Sequence, residues 1–431
     1  MQVYNSQRIR VAWICFFSTQ ELRNRILIEI PIIERLIRRL KGIPSKINTG
    51  DAGIWNANAV FEAESIKDID VHVIIPYPYL KSKRMDFEMR NIHYHCFRDE
   101  TTSPLVFLKK HLIKGYRCSY DKNSNKIAQI VDEINPAIVH IMGAENPQYS
   151  LSALKIPCKY PIIVQLQTLL NEPKFATDFF KDERTWRYFA DLENQVLQRA
   201  DYIATRANEY QDFIKCRLKP DAKLLNTTLA LAEPINRTVE KKEYDVVFFA
   251  KNINKGFDLA LDAFICASKR QQGLTMEVIG GYSEDIKVRF DNILKSNNLT
   301  ESVFFKGLLP THDDVISHIR KAHVALLPIK VDLISGTIRE AMSNGIPVVT
   351  TNTGIKGTQV LNKEKECVLI SDIGDSATMA NNMLRLLKDK NLYSVIVQNA
   401  YERIVNSKPN KERVLEWIHA YRTILNMYNY E

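Results

Sequence analysis

The stretch from Pro328 to Gly357, PIKVDLISGTIREAMSNGIPVVTTNTGIKG, constrains this chain more than any other. An apolar, β-prone run, His323 to Leu327, leads into it, and a polar loop spans Lys330 to Gly336. The pattern then predicts a helix from Thr337 to Asn344, stopped by Gly345, and a second buried strand from Ile346 to Thr350. A Gly- and Thr-rich loop closes the stretch. Strand, loop, helix and strand in that order make a βαβ unit. Its strands are parallel, and its loop lies at their carboxyl edge, where ligands bind. Asp332 and Glu340 place two carboxylates there, able to accept hydrogen bonds from sugar hydroxyls. Ser335, Gly336 and Thr337 open the helix and leave its first amides free for a phosphate. Carboxylates beside anion-binding amides suit a sugar nucleotide.

The same alternation runs through the whole chain. Upstream, Tyr244 to Ala250 is a strand, Lys251 to Gly256 a loop, and Phe257 to about Lys269 a helix. Thr275 to Gly280 and Ser302 to Gly307 are further strands, the second leading through Gly307 and Leu308 into a helix from Asp313 to Ala322. Two ammonium groups, Lys251 and Lys255, beside a helix N-terminus make a diphosphate site, with a solvated loop as the other reading. In the first half, Arg10 to Phe17, Val71 to Ile75, Ala137 to Met142 and Pro161 to Leu166 read as buried strands. Gly50 and Gly53 permit close approach to a ligand or make a simple turn. Glu145, at a strand end, binds an acceptor hydroxyl or caps the next helix. His140, inside a strand, reads as a core histidine. Strand–helix alternation on both sides of a polar linker, Ala232 to Glu243, predicts two Rossmann-like domains.

The stretch resembles family 4 of the retaining GT-B glycosyltransferases, whose signature is a glutamate, seven variable residues, Glu-Ala-Met, Gly-x-Pro-Val-Val and a Gly-rich turn. Glu340-Ala341-Met342 and Gly345-Ile346-Pro347-Val348-Val349 stand at that spacing. Asp332 replaces the first glutamate, keeping its charge on a shorter side chain. Lys251 and Lys255 stand where the family has a basic residue and a Lys-Gly pair. Gln167 takes the place of a histidine that many members carry.

The resemblance implies an α/β GT-B architecture, two Rossmann-like domains facing a central cleft. Residues 1–238 would form the acceptor-side domain and 239–405 the nucleotide-sugar domain, with 406–431 a helix crossing back to the first. It implies that Lys251, Lys255 and the Ser335, Gly336 and Thr337 loop hold the donor diphosphate. Glu340 would bind the ribose and Asp332 the donor sugar, with Gly307 and Leu308 beside the nucleobase. Gly53 would approach the donor, and Glu145 and Gln167 the acceptor, a saccharide or lipid-linked saccharide. Transfer would retain anomeric configuration, the leaving diphosphate helping to take the acceptor proton. No cofactor is implied and no metal is expected, since no Asp-x-Asp pair stands in a suitable position. The role implied is envelope or capsular polysaccharide assembly. Two alternatives remain: a sugar-nucleotide epimerase of the same fold, and a binding or scaffold subunit that has lost chemistry.

Bulk properties narrow the partners. At 431 residues the chain exceeds a single core. No apolar run reaches the roughly 18 residues of a membrane span, and the first residues, MQVYNSQRIRVAWICFF, read as a strand rather than a signal peptide. The seven cysteines contain no Cys-x-x-Cys pair, which fits a reducing cytoplasm. The net charge of +9 sits mostly in the first 239 residues and calls for an acidic partner there, a membrane surface or a lipid diphosphate. No nucleic-acid motif accompanies it. The segment IPIIERLIRRLKG predicts a basic amphipathic helix carrying Arg35, Arg38 and Arg39. It lies in an anionic membrane interface, or packs on its domain with its charges solvated. Lys81 to Arg84 reads as a basic solvated loop.

Overall fold

The computed structural model describes residues 8–40, 50–173, 180, 182–231, 240–253, 256–330, 335–354 and 357–428. The chain divides into two compact units, Met1–Ala230 with Asn410–Glu431, and Leu231–Pro409.

The first unit holds eight strands: β1 (Ile9–Ile14), β2 (Ile69–Tyr77), β3 (Arg84–Met89), β4 (Ile92–Arg98), β5 (Ile138–Met142), β6 (Ile162–Gln165), β7 (Tyr202–Ala204) and β8 (Lys223–Leu225). Their order is β3-β4-β2-β1-β5-β6-β7-β8, and only β3 runs antiparallel to its neighbour. Continuous apolar runs such as Val11–Ile14 and Ile138–Met142 form these strands because helices cover both faces of the sheet's centre. The β3–β4 hairpin begins at Arg84, within the segment that reads as a loop in sequence. Its turn places Arg90 and Asn91 at positive φ without a glycine, so the usual hairpin signal is missing.

Between β1 and the helix Ile54–Ala63 the chain makes a long excursion. Paired backbone hydrogen bonds close its base, Ser18 N–H to Ala52 O at 2.9 Å and Ala52 N–H to Ser18 O at 2.8 Å. The excursion contains the helices Gln20–Arg25 and Ile32–Leu40. The second packs the reverse of a simple amphipathic helix. Glu34 is buried and accepts hydrogen bonds from Arg38 and from the Tyr79 hydroxyl at 2.8 Å. Ile32, Ile33, Leu36 and Leu40 are exposed.

The C-terminal helix, Asn410–Tyr428, belongs to the first unit. Its Trp417 and Tyr421 are buried against Trp13 and His140. The Tyr421 hydroxyl accepts from Trp13 Nε1 at 3.1 Å and lies 2.6 Å from His140 Nδ1. Burial brings the His140 pKa down to about 3, so this ring is a neutral core histidine. The side chain of Tyr428 lies outside the described residues.

The second unit is built on β9 (Tyr244–Asn252), β10 (Met276–Gly281), β11 (Val303–Gly307), β12 (Ala322–Leu326), β13 (Val348–Thr351) and β14 (Leu369–Ser371). All are parallel, in the order β11-β10-β9-β12-β13-β14. Successive strands step outward in one direction from β9 and in the other from β12. The crevice between the carboxyl ends of β9 and β12 is therefore the topological switch point, where open α/β sheets bind ligands. In the first unit the equivalent point lies between β1 and β5.

Candidate functional site

In the second unit the loops after β9 and β12 meet at the switch point. Gly256 caps the helix Phe257–Ser268 with φ at +98°, and a Cβ there would collide with the carbonyl oxygen of Pro328. Only glycine allows this approach. Lys251 is exposed at the end of β9. Lys255 lies outside the described residues, as does Asp332. Next door, Gly280 and Gly281 bring the end of β10 against Ala250 and Leu308. Leu308 and Gly307, at φ +72°, follow β11, and the space beside Gly307 is open as far as the Tyr282 hydroxyl.

Threonines at the end of β13 hold the β12 loop in place. Thr350 Oγ1 donates to Leu327 O at 2.8 Å, and Thr351 Oγ1 accepts from Ile329 N–H at 2.8 Å. Thr358 Oγ1 donates to Thr351 O at 2.6 Å and accepts from Thr353 N–H at 3.0 Å. Lys330 pairs with Asp258 in the first turn of the Phe257–Ser268 helix at 3.1 Å, a second tie between the two loops.

The helix Gly336–Ser343 starts directly after this loop. Ser335 is its N-cap, accepting from Ile338 N–H at 3.3 Å. The hydroxyl of Ser335 is thus used within the helix, while the Gly336 and Thr337 amides occupy its first turn, where no intrahelical acceptor exists. Glu340 lies one turn further along, its Oε1 3.7 Å from His312 Nε2. Burial pushes the Glu340 carboxyl up to about 7. His312 opens the helix His312–Arg320, whose capping box, Thr311 with Asp314, fixes where that helix begins. No local spacing links His312 to Glu340. They meet because their two helices follow β11 and β12 in the folded sheet.

The candidates in the first unit lie after the carboxyl ends of its strands, Gly53 beside the end of β1, Glu145 after β5 and Gln167 after β6. Gly53 has φ +64°, and its missing side chain lets the start of the Ile54–Ala63 helix press on the backbone of Phe16 and Phe17. The Phe16 carbonyl also accepts from Asn56 Nδ2 at 3.0 Å. Its glycine is thus required by packing within the first unit. Glu145 follows β5 and does not cap the next helix, whose N-cap is Asn146. Instead its Oε1 accepts from Asn146 Nδ2 at 2.7 Å, while Oε2 is buried with no hydrogen-bond partner among the described residues. Burial pushes the Glu145 carboxyl up to about 8. Gln167 is exposed beyond β6, whereas Gln165 is buried and tied to Ala204 O and Thr227. Sequence reading also misses the ion pair Arg23–Asp51, 2.8 Å and largely buried, which joins the excursion to Ser18.

Two Rossmann-like α/β units in one chain constitute the GT-B fold, the architecture that the sequence resemblance implies. Sucrose-phosphate synthase of Thermosynechococcus elongatus is similar over 97% of this chain and 100% of that one, at 13% identity and a TM-score of 0.67. The Anabaena protein HepE in complex with UDP and glucose is similar over 96% and 99%, at 13% identity and a TM-score of 0.62. At such identities the likeness establishes the fold. A family profile described as glycosyl transferases group 1 matches residues 243–389, most of the second unit. Among curated sequences, an uncharacterised glycosyltransferase of Haemophilus influenzae is 22% identical over 162 residues. That match spans 38% of this chain and 44% of the relative, less than half of its length.

In the Ile32–Leu40 helix, Arg38 is committed to Glu34 and Arg35 to Glu29 at 3.0 Å. Arg39 is exposed. No helix among the described residues is long and apolar enough to cross a membrane.

Proposed function

We propose that this protein is a retaining glycosyltransferase that moves a sugar from a nucleotide-sugar donor to a saccharide or lipid-linked saccharide, without a catalytic metal. One observation carries the reading. The loops after β9 and β12 are packed together by Gly256 at the switch point, beside a helix N-terminus and a half-neutral glutamate. In this reading Lys251, Lys255 and the Gly336 and Thr337 amides hold the diphosphate. Their positive charge stabilises the nucleoside diphosphate as it leaves, where transition-state charge develops. Glu340 accepts the ribose hydroxyls, Asp332 the donor-sugar hydroxyls, and Gly307 and Leu308 flank the base. Glu145 and Gln167 serve the acceptor. The UDP and UDP–glucose complexes of HepE and the UDP complex of pneumococcal O-GlcNAc transferase GtfA favour a uridine donor.

The surface of the first unit supports a lipid-linked acceptor. The exposed apolar residues of the Ile32–Leu40 helix continue into Leu105, Leu112 and Ile113 of the neighbouring helix Pro104–Leu112 and its end, with Lys109 and Lys110 beside them. Apolar surface rimmed by lysine and arginine suits an anionic bilayer, which is where lipid-linked acceptors of envelope or capsular polysaccharide reside.

The test is release of nucleoside diphosphate from a panel of sugar nucleotides, with the anomeric configuration of the product read by NMR. Lys255→Ala is expected to lower turnover on the order of 100-fold, and Glu340→Ala to raise the donor KM. Inversion at the anomeric carbon, or equal turnover by wild type and both variants, overturns the assignment. Turnover without any acceptor would instead mark an epimerase.

A further inference from the structure

Away from that edge, the outward face of the β2–β4–β3 border carries a cluster of imidazoles and carboxylates. Alternation along β2 and β4 sends Val71, Val73, Ile92 and Tyr94 into the core and turns Asp70, His72, His93 and His95 to the other face. His72 and His93 are register partners, with rings stacked 4.5 Å apart. Opposite His95 and His93, β3 presents Asp86 and Glu88. The cluster lies at the amino half of β2, remote from its carboxyl end at Tyr77.

A chain of contacts fixes the tautomers. Asp86 Oδ1 can only accept, so His95 Nδ1, 2.7 Å away, carries the hydrogen. With both rings neutral, the arrangement these contacts allow puts the hydrogen of each ring on Nδ1. His95 then offers a lone pair at Nε2, and His72 Nδ1, 3.0 Å away, donates to it. The His72 Nε2 lone pair is left buried and without a hydrogen bond, 3.5 Å from Asp70 Oδ2. On the other flank His93 Nε2 is 3.3 Å from Asp70 Oδ1, with its Nδ1 3.9 Å from Glu88 Oε2. A nitrogen lone pair aimed at a carboxylate is repulsive unless a cation lies between them.

We propose that Asp70, His72 and His93 bind a divalent transition-metal ion of the zinc type, with water completing its coordination. One carboxylate and two imidazoles are a donor set that zinc takes, at about 2.0–2.2 Å. The three donor atoms lie within 4.8 Å of one another, so a shared ion needs only an inward tilt of the stacked rings. The outer nitrogen of His72 already has the kind of partner that orients a metal-bound histidine, His95 backed by Asp86, and Glu88 Oε2 stands 3.9 Å from the outer nitrogen of His93, close enough to engage it once the ring tilts. Arg10 Nε donates to Asp70 Oδ2 at 3.0 Å and leaves Oδ1 for the ion. With ligands on β2 and β4 and supporting groups on β3, the ion pins the hairpin border to the sheet. It takes no part in transfer.

The experiment dialyses the whole protein against a chelator, then titrates it with Zn2+ by calorimetry and with Co2+ by visible absorption. The result expected is one ion per chain, the intense d–d bands of four-coordinate Co2+, and a rise in Tm with Zn2+. His93→Gln and Asp70→Asn each weaken binding roughly tenfold or more, with circular dichroism confirming that both fold. His111→Gln, at an exposed histidine elsewhere, leaves binding unchanged. Absence of saturable binding overturns the proposal, as does an equal loss in His111→Gln and His93→Gln. So does a stability that varies with pH through the histidine range and is indifferent to Zn2+, because a proton then fills the gap.

Discussion

Burial holds Glu340 near neutrality, so its charge state changes close to pH 7. Its folded pKa, about 7, lies above the ordinary 4.5. The protonated form is therefore favoured by folding. The resulting stability is complete below about pH 4.5 and is lost as pH rises through 7. With a side chain 15% exposed, the whole effect is at most about 3 kcal/mol. Glu340→Gln is expected to flatten the fall in Tm between pH 5 and 8. Nucleotide affinity in the wild type should rise over the same range, as the carboxylate becomes the better acceptor for ribose hydroxyls, and should be flat in the variant. An unchanged pH profile in both measurements would remove Glu340 from the site. At this scale the sequence singles out Lys251 and Glu340 as candidates because each sits at a fixed distance from a helix start. It cannot reveal His312 or the orphaned oxygen of Glu145, whose surroundings come from other elements.

Strand starts are legible where the apolar run is strong, as at Tyr244, but β9 runs two residues past Ala250 and takes in Lys251 and Asn252, which read as loop in sequence. Strand limits fail at β3–β4, where a glycine-free turn and a run of histidines hide a hairpin. The Ile32–Leu40 helix shows a subtler limit. Its existence follows from sequence, but its buried face does not, because Glu34 is drawn inward by Tyr79, a residue from beyond β2. With Arg38 and Arg35 engaged in ion pairs, the proposed contact with a bilayer would fall to the exposed Leu36, Leu40 and Arg39. Leu36→Gln with Leu40→Gln is expected to reduce flotation with anionic vesicles more than neutralising Arg35 and Arg38 does. Flotation that is unaffected by the leucine pair would reject this face.

For the molecule as a whole, two sheets of Rossmann type are evident from the alternation of elements, and the second unit's candidate site is marked by one stretch of sequence. The return of Asn410–Tyr428 to the first unit rests on Trp417 and Tyr421, which fill the space over Trp13 and His140. A chain ending at Pro409 keeps the whole second unit, yet uncovers a large aromatic surface on the first. Calorimetry on it is expected to show the second unit's transition intact and the first unit's lost or strongly lowered, since removing one buried Trp alone costs about 3–5 kcal/mol. Two intact transitions would show that the helix is dispensable. The hydrogen-bonded neck at Ser18 and Ala52 has a further consequence. Among the described residues between them, Leu22 and Ile26 are buried in the first unit's core, while Ile32, Ile33, Leu36 and Leu40 face outward. Substitutions on that outward face can therefore re-dress the surface the molecule presents while leaving Leu22, Ile26 and the strands beneath them as they are.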